Sequence, residues 1–483
     1  MNEPKASTSK KRVLVVGGGL VGSLQALYLA KRQFKVDVYE HRPDPRSQKY
    51  VKGRSINLAL SVRGRAALKA VGAEDHVVKK GIPMYARMIH GYNGKRMPIP
   101  YGKEDQYILS IDRRELNEHL IGLVDENKNV NYHFCDKFIA ANFEKGEVTF
   151  ESKDGRHIEQ ADLIVGCDGA FSGIRRQLMK TARMDYSQEY IPHGYKEIQM
   201  LPNAMGDFAM EVNYLHIWPR NTFMMIALPN QNKTFTCTLF MPYHIFDDIK
   251  TDEEILRFFE REFPDSIPLI GKKQIIQEYN TNPVGDLISI KCSPYHYLDK
   301  VVILGDAAHA MVPFYGQGMN CGFEDCLVLD EMLDKFGSNM NHALAEYSTF
   351  RNPDAEAIID LAMYNYMEMR AHVNSPLFVL RKRFDNFLHW LVPNYWVPLY
   401  TMTTFSRIRY HEVVERSKRQ DKIVNCLLVS SGAIFIICGT VFLYKIMRKD
   451  TPQTSYFNAF TEYATDSITY VYNILPDLKS KIY

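Results

Sequence analysis

Two glycine-rich turns carry residue types from which nucleotide chemistry could be built. Near the amino end, the apolar run Arg12–Val16 leads into Gly17-Gly18-Gly19-Leu20-Val21-Gly22, which fits G-x-G-x-x-G. A helical pattern follows (Leu24, Leu27, Tyr28), then a second strand-like run, 35–39, ending at Glu40. Glycines permit a tight turn and close backbone approach, and a helix N terminus offers unpaired N–H groups to a pyrophosphate. An acid about 20 residues further on suits a ribose hydroxyl. Far along the chain, 301–304 reads as a buried strand ended by Gly305 and Asp306. After Pro313, Gly316 and Gly318 precede a helix opening near Met319 and Asn320, again a seat for negative charge. Between these turns, 162–165 runs into Gly166-Cys167-Asp168-Gly169-Ala170-Phe171-Ser172-Gly173-Ile174-Arg175. On its residues alone, Asp168-Gly169 reads equally as an ordinary turn after a strand.

In this order the three motifs resemble the fingerprint, the DG motif (CDGAxSxxR) and the ribityl-binding GD motif of the single-component, FAD-dependent aromatic hydroxylases. The resemblance implies a bound FAD, with NADPH as electron donor and O2 as co-substrate. It places the cofactor against Gly17, Gly19, Val21, Gly22, Glu40, His41, Arg42, Ala59, Arg113, Asp168, Asp306, Gly318, Met319 and Asn320. Arg113 is expected at the pyrophosphate or the flavin ring, and Asp306 at a ribityl hydroxyl. The implied chemistry passes through a C4a-hydroperoxyflavin, so no protein acid–base dyad is expected. No second G-x-G-x-x-G is present for NADPH, as in hydroxylases that lack a separate NADPH domain.

Further stretches, among them ARMIH, IPYG, YIPHGY, YLHIWPRNTFMMIALPN, MYNYMEMRAHVN and PLYTMTTFSRIRYHE, carry a closer resemblance. They are similar to members of that family acting on L-kynurenine, which they convert to 3-hydroxy-L-kynurenine in tryptophan catabolism. The resemblance implies that Arg87 and Tyr101 hold the substrate carboxylate and that Asn365 and Tyr400 line the same pocket. A carboxylate calls for a charge-assisted partner, which Arg87 supplies. Tyr85, two residues before Arg87, shares its face if strand alternation continues.

The elements that must position these groups read as an α/β chain. A Rossmann-like FAD-binding domain (10–75, 107–190 and 296–340) is interleaved with a mostly β substrate domain (76–106 and 191–295). A helical region (341–420), a transmembrane anchor (423–444) and a tail (445–483) follow. Residues 82–99 read as strand, 106–112 as strand running into a helix, and 354–373 and 377–389 as helices. Pro393 and Pro398 interrupt the apolar stretch 387–405, which reads as an irregular segment against the core or a membrane face.

Composition agrees with a catalytic body attached to a membrane. A chain of 483 residues, 46% hydrophobic, can bury a large core, and its net charge of +3 does not point to nucleic acid. The 8 cysteines show no metal-ligand spacing, so no metal is expected, and His309 reads as structural. The amino end has no apolar h-region, so no secretory signal is expected. The uncharged run 423–444 suits one spanning helix. Its basic flank (Arg407, Arg409, Arg416, Lys418, Arg419, Lys422) places the body on the cytosolic side. The family resemblance implies the mitochondrial outer membrane. Two other readings stay open on sequence: a same-fold flavoenzyme acting on another aromatic or an isoprenoid, and a membrane-anchored FAD-binding scaffold.

Overall fold

Arg12–Val16 offers no polar side chain beyond its first residue, which is what a strand covered on both faces requires. It becomes an inner strand of a six-stranded sheet. Lys35–Glu40 pairs parallel on one side of it and Leu163–Gly166 on the other. Val130–Phe134 extends the first side, and Val301–Ile303 the second, with His296–Tyr297 as an antiparallel edge. All three glycine motifs therefore leave the carboxyl ends of adjacent parallel strands, where α/β sheets place their ligands. The computed structural model describes residues 11–48, 57–102, 105–337, 339–371 and 375–447. The side chains of Pro376, Leu377, Val379 and most of 427–447 lie outside that description.

The second large sheet has seven strands in the order Gly285–Ser293, Asp185–Met200, Phe235–Pro242, Met224–Pro229, Tyr214–Pro219, Ala86–His90, Arg96–Pro100. Ala86–His90 lies parallel to Tyr214–Pro219 and antiparallel to Arg96–Pro100, so chain on both sides of the DG motif builds one sheet. Asn57–Leu60, Ile108–Asp112 and Ile82–Met84 form a three-stranded sheet. Its apolar side joins Leu24 and Tyr28 of helix Leu20–Lys31 and Phe323 and Cys326 of helix Gly318–Phe336 in one core. Helix Arg113–Asp125 starts where Ile108–Asp112 ends. Asp112 caps it, accepting from the backbone N–H groups of Arg114 and Glu115 at 2.7 and 2.9 Å.

The structure corrects several expectations. The 191–295 block is not mostly β between 243 and 281. It carries helices Tyr243–Asp248, Asp252–Glu262, Ile267–Ile270 and Lys272–Thr281. The capping box Thr251–Glu254 announces the second of these in sequence. The helix expected from 354 begins at Met340 and passes through Pro353. An interior proline loses a backbone bond, but its neighbours hold the helix down. Arg351 is buried against Glu324 and Asp325, while Asp354 takes Arg409 and His411. Tyr85 falls in the break between Ile82–Met84 and Ala86–His90, strands of different sheets, so alternation fails there. Its ring is exposed and tilts against Tyr107 while Arg87 is buried.

Helix Pro376–Leu391 ends before Pro393, and helix Leu399–Phe405 opens after Pro398. Residues Met1–Val413 make one compact unit and Val414–Tyr483 a second. Among the described residues no helix is long and apolar enough to cross a membrane. The run 423–444 falls within helix Tyr410–Met447, with most of its side chains outside the description, and the tail from 448 lies wholly outside it.

Candidate active site

At the first glycine turn, Gly17 adopts φ +105°, and a Cβ there would meet the backbone of Cys167 and Asp168. A Cβ on Gly22 would overlap the Gly17 carbonyl. These two glycines let helix and turn close on each other. Gly19, by contrast, faces open space, its nearest neighbour being the Arg42 guanidinium at 3.9 Å. Gly19 also heads helix Leu20–Lys31, which has no side-chain cap and no acid in its first turn. Glu40 is buried and accepts from Gly18 N–H at 2.9 Å and from Arg42 Nε at 2.8 Å, with His41 Nδ1 at 2.9 Å. Burial opposes its charge, but the Arg42 side chain wins and the carboxyl lies below its ordinary range.

Gly305 holds φ +60° at the second turn, and Asp306 beyond it is exposed with no side-chain bond among the described residues. Arg113 is likewise exposed at the start of its helix, with no partner among them. Helix Gly318–Phe336 begins without a side-chain cap or first-turn acid, and the only atom near the free side of Gly318 is Met311 Cγ, 3.7 Å from a Cβ built there. Two helix N termini with orphan N–H groups, a free acid and a free guanidinium are the donors and acceptors that a dinucleotide with a ribityl chain requires.

Two expected contacts turn out to be spoken for. Both Asn320 side-chain atoms are used: Oδ1 accepts from Ser61 N–H at 2.8 Å, and Nδ2 donates to the carbonyls of Ala59 and Gly316 at 2.8 and 2.7 Å. Asn320 thus fixes the turn, leaving only backbone to a ligand. Asp168 spends its carboxylate on Ser172 Oγ and the N–H groups of Gly173 and Ile174, capping helix Gly173–Thr181. Burial outweighs those bonds and raises its pKa. Arg175 ties the DG turn to the short helix Asp306–His309, donating to the carbonyls of Ala170 and Ala307.

Beneath the GD turn lies a buried cluster. Asp325 accepts from Gly305 N–H at 2.8 Å, His309 Nε2 at 2.6 Å and Arg351 Nε at 2.6 Å, while Arg351 also reaches Cys321 Sγ at 3.1 Å. His309, Cys321 and Asp325 could together hold a metal ion, but here a guanidinium already occupies the acid and the thiol. Burial works against both partners' charges, yet the pairing holds His309 above and Asp325 below its ordinary range. The pair's stability is therefore lost as pH rises through the elevated His309 value or falls through the depressed Asp325 value. We expect Asp325→Asn to strand the buried His309 cation, Arg351 keeping Glu324, at about 3–5 kcal/mol, and to release the Gly305 turn. Flavin lost on dialysis, with a lower Tm, would be the readout; full retention would contradict it.

The substrate-side residues do meet. Arg87 is buried, with NH1 3.3 Å from Glu368 Oε1 and NH2 3.5 Å from Asn365 Oδ1, and its guanidinium lies 4.3 Å over the Tyr400 ring. Tyr101 stacks on Tyr400 at 5.2 Å, and Tyr400 on Tyr315 at 5.5 Å. Tyr315 belongs to the turn Pro313–Tyr315, directly before the flavin-side helix, and Asn365 Nδ2 donates to Phe314 O at 2.7 Å. The aromatic stack thus abuts the turn that leads into helix Gly318–Phe336. Among the described residues, Arg87 Nε and the Tyr101 hydroxyl are both buried without a hydrogen-bond partner. Burial pushes the Tyr101 phenol well up, so at neutral pH it is a donor.

The sequence model for the family described as FAD binding domain matches residues 10–362. Kynurenine 3-monooxygenase of Sus scrofa is 54% identical over 89% of this chain and 92% of its own length. The Anopheles gambiae enzyme is 49% identical over 90% of each chain. The chain belongs to the kynurenine 3-monooxygenase family. Solved structures that resemble it include 2-methyl-3-hydroxypyridine-5-carboxylic acid oxygenase (TM-score 0.63, 20% identity, 79% of this chain and 98% of that one). Another is p-nitrophenol 4-monooxygenase of Pseudomonas putida (TM-score 0.60, 20% identity, 78% and 93%). At that identity they speak to the fold alone.

As a member of the kynurenine 3-monooxygenase family this protein is an FAD-dependent monooxygenase, and the open donors described above fit that cofactor. Sequence reasoning missed Glu368, although it lies one helical turn beyond Asn365. It accepts from Arg87 and from Lys382 Nζ at 3.0 Å. Burial opposes its charge, but Lys382 and Arg87 hold its carboxyl below the ordinary value of 4.5. Its stabilisation is then complete above that value and lost as pH falls below it. Glu368→Gln is expected to lower Tm at neutral pH and to flatten the acid limb of a Tm-against-pH curve. An unchanged acid limb would remove Glu368 from this role.

Proposed function

We propose that this protein hydroxylates the ring of L-kynurenine at its 3-position, consuming NADPH, a proton and O2 and yielding 3-hydroxy-L-kynurenine, NADP+ and water. The observation that carries this reading is the pair of buried donors, Arg87 Nε and the Tyr101 hydroxyl, that have no hydrogen-bond partner among the described residues and sit in the stack against the turn Pro313–Tyr315. An α-carboxylate would satisfy both at once, and leaving them unmet is costly. Glu40, Arg113, Asp306 and the uncapped N termini of helices Leu20–Lys31 and Gly318–Phe336 would hold FAD, which would supply hydride acceptance from NADPH and activation of O2. Arg87 and Tyr101 orient the amino acid, and the rings of Tyr315 and Tyr400 exclude water from the reacting face. The kynurenine amino group makes its ortho carbon electron-rich, so no protein base is required there.

NADPH oxidation by the detergent-purified chain, with and without L-kynurenine, tests the proposal, with products identified by mass spectrometry. Strong stimulation and a product one oxygen heavier, hydroxylated at the 3-position, is the expected result. Stimulation that yields hydrogen peroxide alone would make kynurenine an effector and another molecule the substrate.

The same reading includes the run 423–444 as a single membrane anchor in the mitochondrial outer membrane, with the catalytic body in the cytosol. Its support is the length of the uncharged run and the excess of arginine and lysine before it. Resistance to alkaline carbonate extraction, with the body digested by protease added to intact mitochondria, is expected. Release by carbonate would sink the anchor.

A further inference from the structure

Helix Pro376–Leu391 is inverted relative to a helix on a water-facing surface. Leu380, Phe384, Phe387 and Leu391 recur at the spacing of one helix face, and all four are exposed. Trp390 (76% exposed) and Tyr395 just past the helix (88%) widen the patch. The polar groups turn the other way. Arg381 Nε pairs with Asp385 at 3.1 Å, Trp396 Nε1 donates to the same carboxylate, and Lys382 reaches Glu368. Among the described side chains from 378 to 395, the exposed charge is Arg383 alone, with no acid beside it. A soluble protein hides such a stripe or pairs it, whereas here the polar face is the one that is used up.

We infer that this face rests on a membrane surface, lying in the plane of the headgroups with its aromatic and aliphatic side chains at the acyl boundary. The chemistry favours anionic phospholipid. Tryptophan and tyrosine suit the headgroup layer, leucine and phenylalanine the acyl layer, and an unpaired arginine suits a phosphate. A second copy is a poorer occupant, because two copies of this face would bring two arginines and no exposed acid from the described side chains 378 to 395 into one contact. The inference deepens the membrane reading of the previous section but rests on residues outside 423–444. It has a consequence for the pocket, because the inward face of this helix holds Glu368 through Lys382, and Glu368 holds Arg87.

The test uses the three tryptophans of the full chain. Trp218 (0% exposed) and Trp396 (8%) are buried, so Trp390 alone can report on lipid. The FAD-loaded chain is reconstituted in phosphatidylcholine–phosphatidylserine vesicles with plain or brominated acyl chains. Brominated lipid is expected to quench part of the emission. Trp390→Phe should abolish that quenching and Trp396→Phe should preserve it. Phe387→Ser with Leu391→Ser, which keeps every tryptophan, should weaken it, and bound FAD certifies folding of each variant. Equal emission in both lipids from carbonate-resistant protein would overturn the inference and leave the anchor standing. Quenching before extraction in protein that carbonate then releases would uphold it without the anchor. Absence of quenching together with copy-to-copy crosslinks through residue 390 would assign the face to a dimer instead.

Discussion

Arg87→Ala should retain its flavin yet lose most L-kynurenine-stimulated NADPH oxidation, with KM for kynurenine raised by about 10- to 100-fold. A charge-assisted hydrogen bond contributes about 1.5–3 kcal/mol, and every 1.4 kcal/mol is tenfold. Arg87 lies in the seven-stranded sheet, whereas the groups that fit FAD come from the other sheets and their helices, so cofactor binding should be spared. Truncation also strips Glu368 of one of its two cationic partners. Lys382 remains, so the stability loss should fall below the roughly 3–5 kcal/mol of a fully broken buried pair. Arg87→Lys keeps the charge but not the planar fork and should land between the two. The assay pairs steady-state kinetics with flavin absorbance of the purified variant. Wild-type KM in Arg87→Ala would remove this residue from substrate binding.

The second large effect concerns Gly22. Any Cβ there overlaps the Gly17 carbonyl, and Gly17 cannot retreat because the Cys167 and Asp168 backbone stands behind it. Gly22→Ala is therefore expected to pry helix Leu20–Lys31 away from the turn and to yield protein that holds no FAD at any added concentration. Overpacking of an interior costs about 1–3 kcal/mol, and here the strain falls on backbone with no rotamer to relieve it. Gly19→Ala is the control: its Cβ meets little in the protein itself, so the fold should persist and any loss of affinity would come from the ligand side. Normal flavin content in Gly22→Ala would contradict the argument.

Strand runs and glycine turns were legible in the sequence because each is local. Arg12–Val16, Val301–Ile303 and the helix opening at Gly318 follow from apolar runs and glycines a few residues apart. Arg87, Tyr101, Asn365 and Tyr400 were named from motif resemblance, and the structure brings them together. What the sequence could not carry is what side chains do once distant segments pack. Nothing near Asn320 announces that its amide is consumed by Ala59 and Ser61. Nothing near Asp168 separates a cofactor contact from a helix cap. For Tyr85 the condition fails, because alternation presumes one continuous strand and the chain changes sheets there. Helix Met340–Arg370 was cut short because Pro353 is a local breaker, whereas the ion pairs that tolerate it join residues far apart in the chain.

The six-stranded sheet also sets an order of events at birth. Its strand Arg12–Val16 leaves the ribosome early, but the neighbours Leu163–Gly166 and Val301–Ile303 are made much later. At about 5–20 residues per second, tens of seconds at the slower rate pass before the second glycine turn exists at all. Until then the nascent chain carries an apolar strand with an open edge and half a nucleotide cradle. Flavin cannot act as a template for early folding, and it can enter only after most of the catalytic body has been synthesised. The sheet's edge must be shielded in the interval, which makes this chain a natural client for chaperones and places cofactor loading after translation.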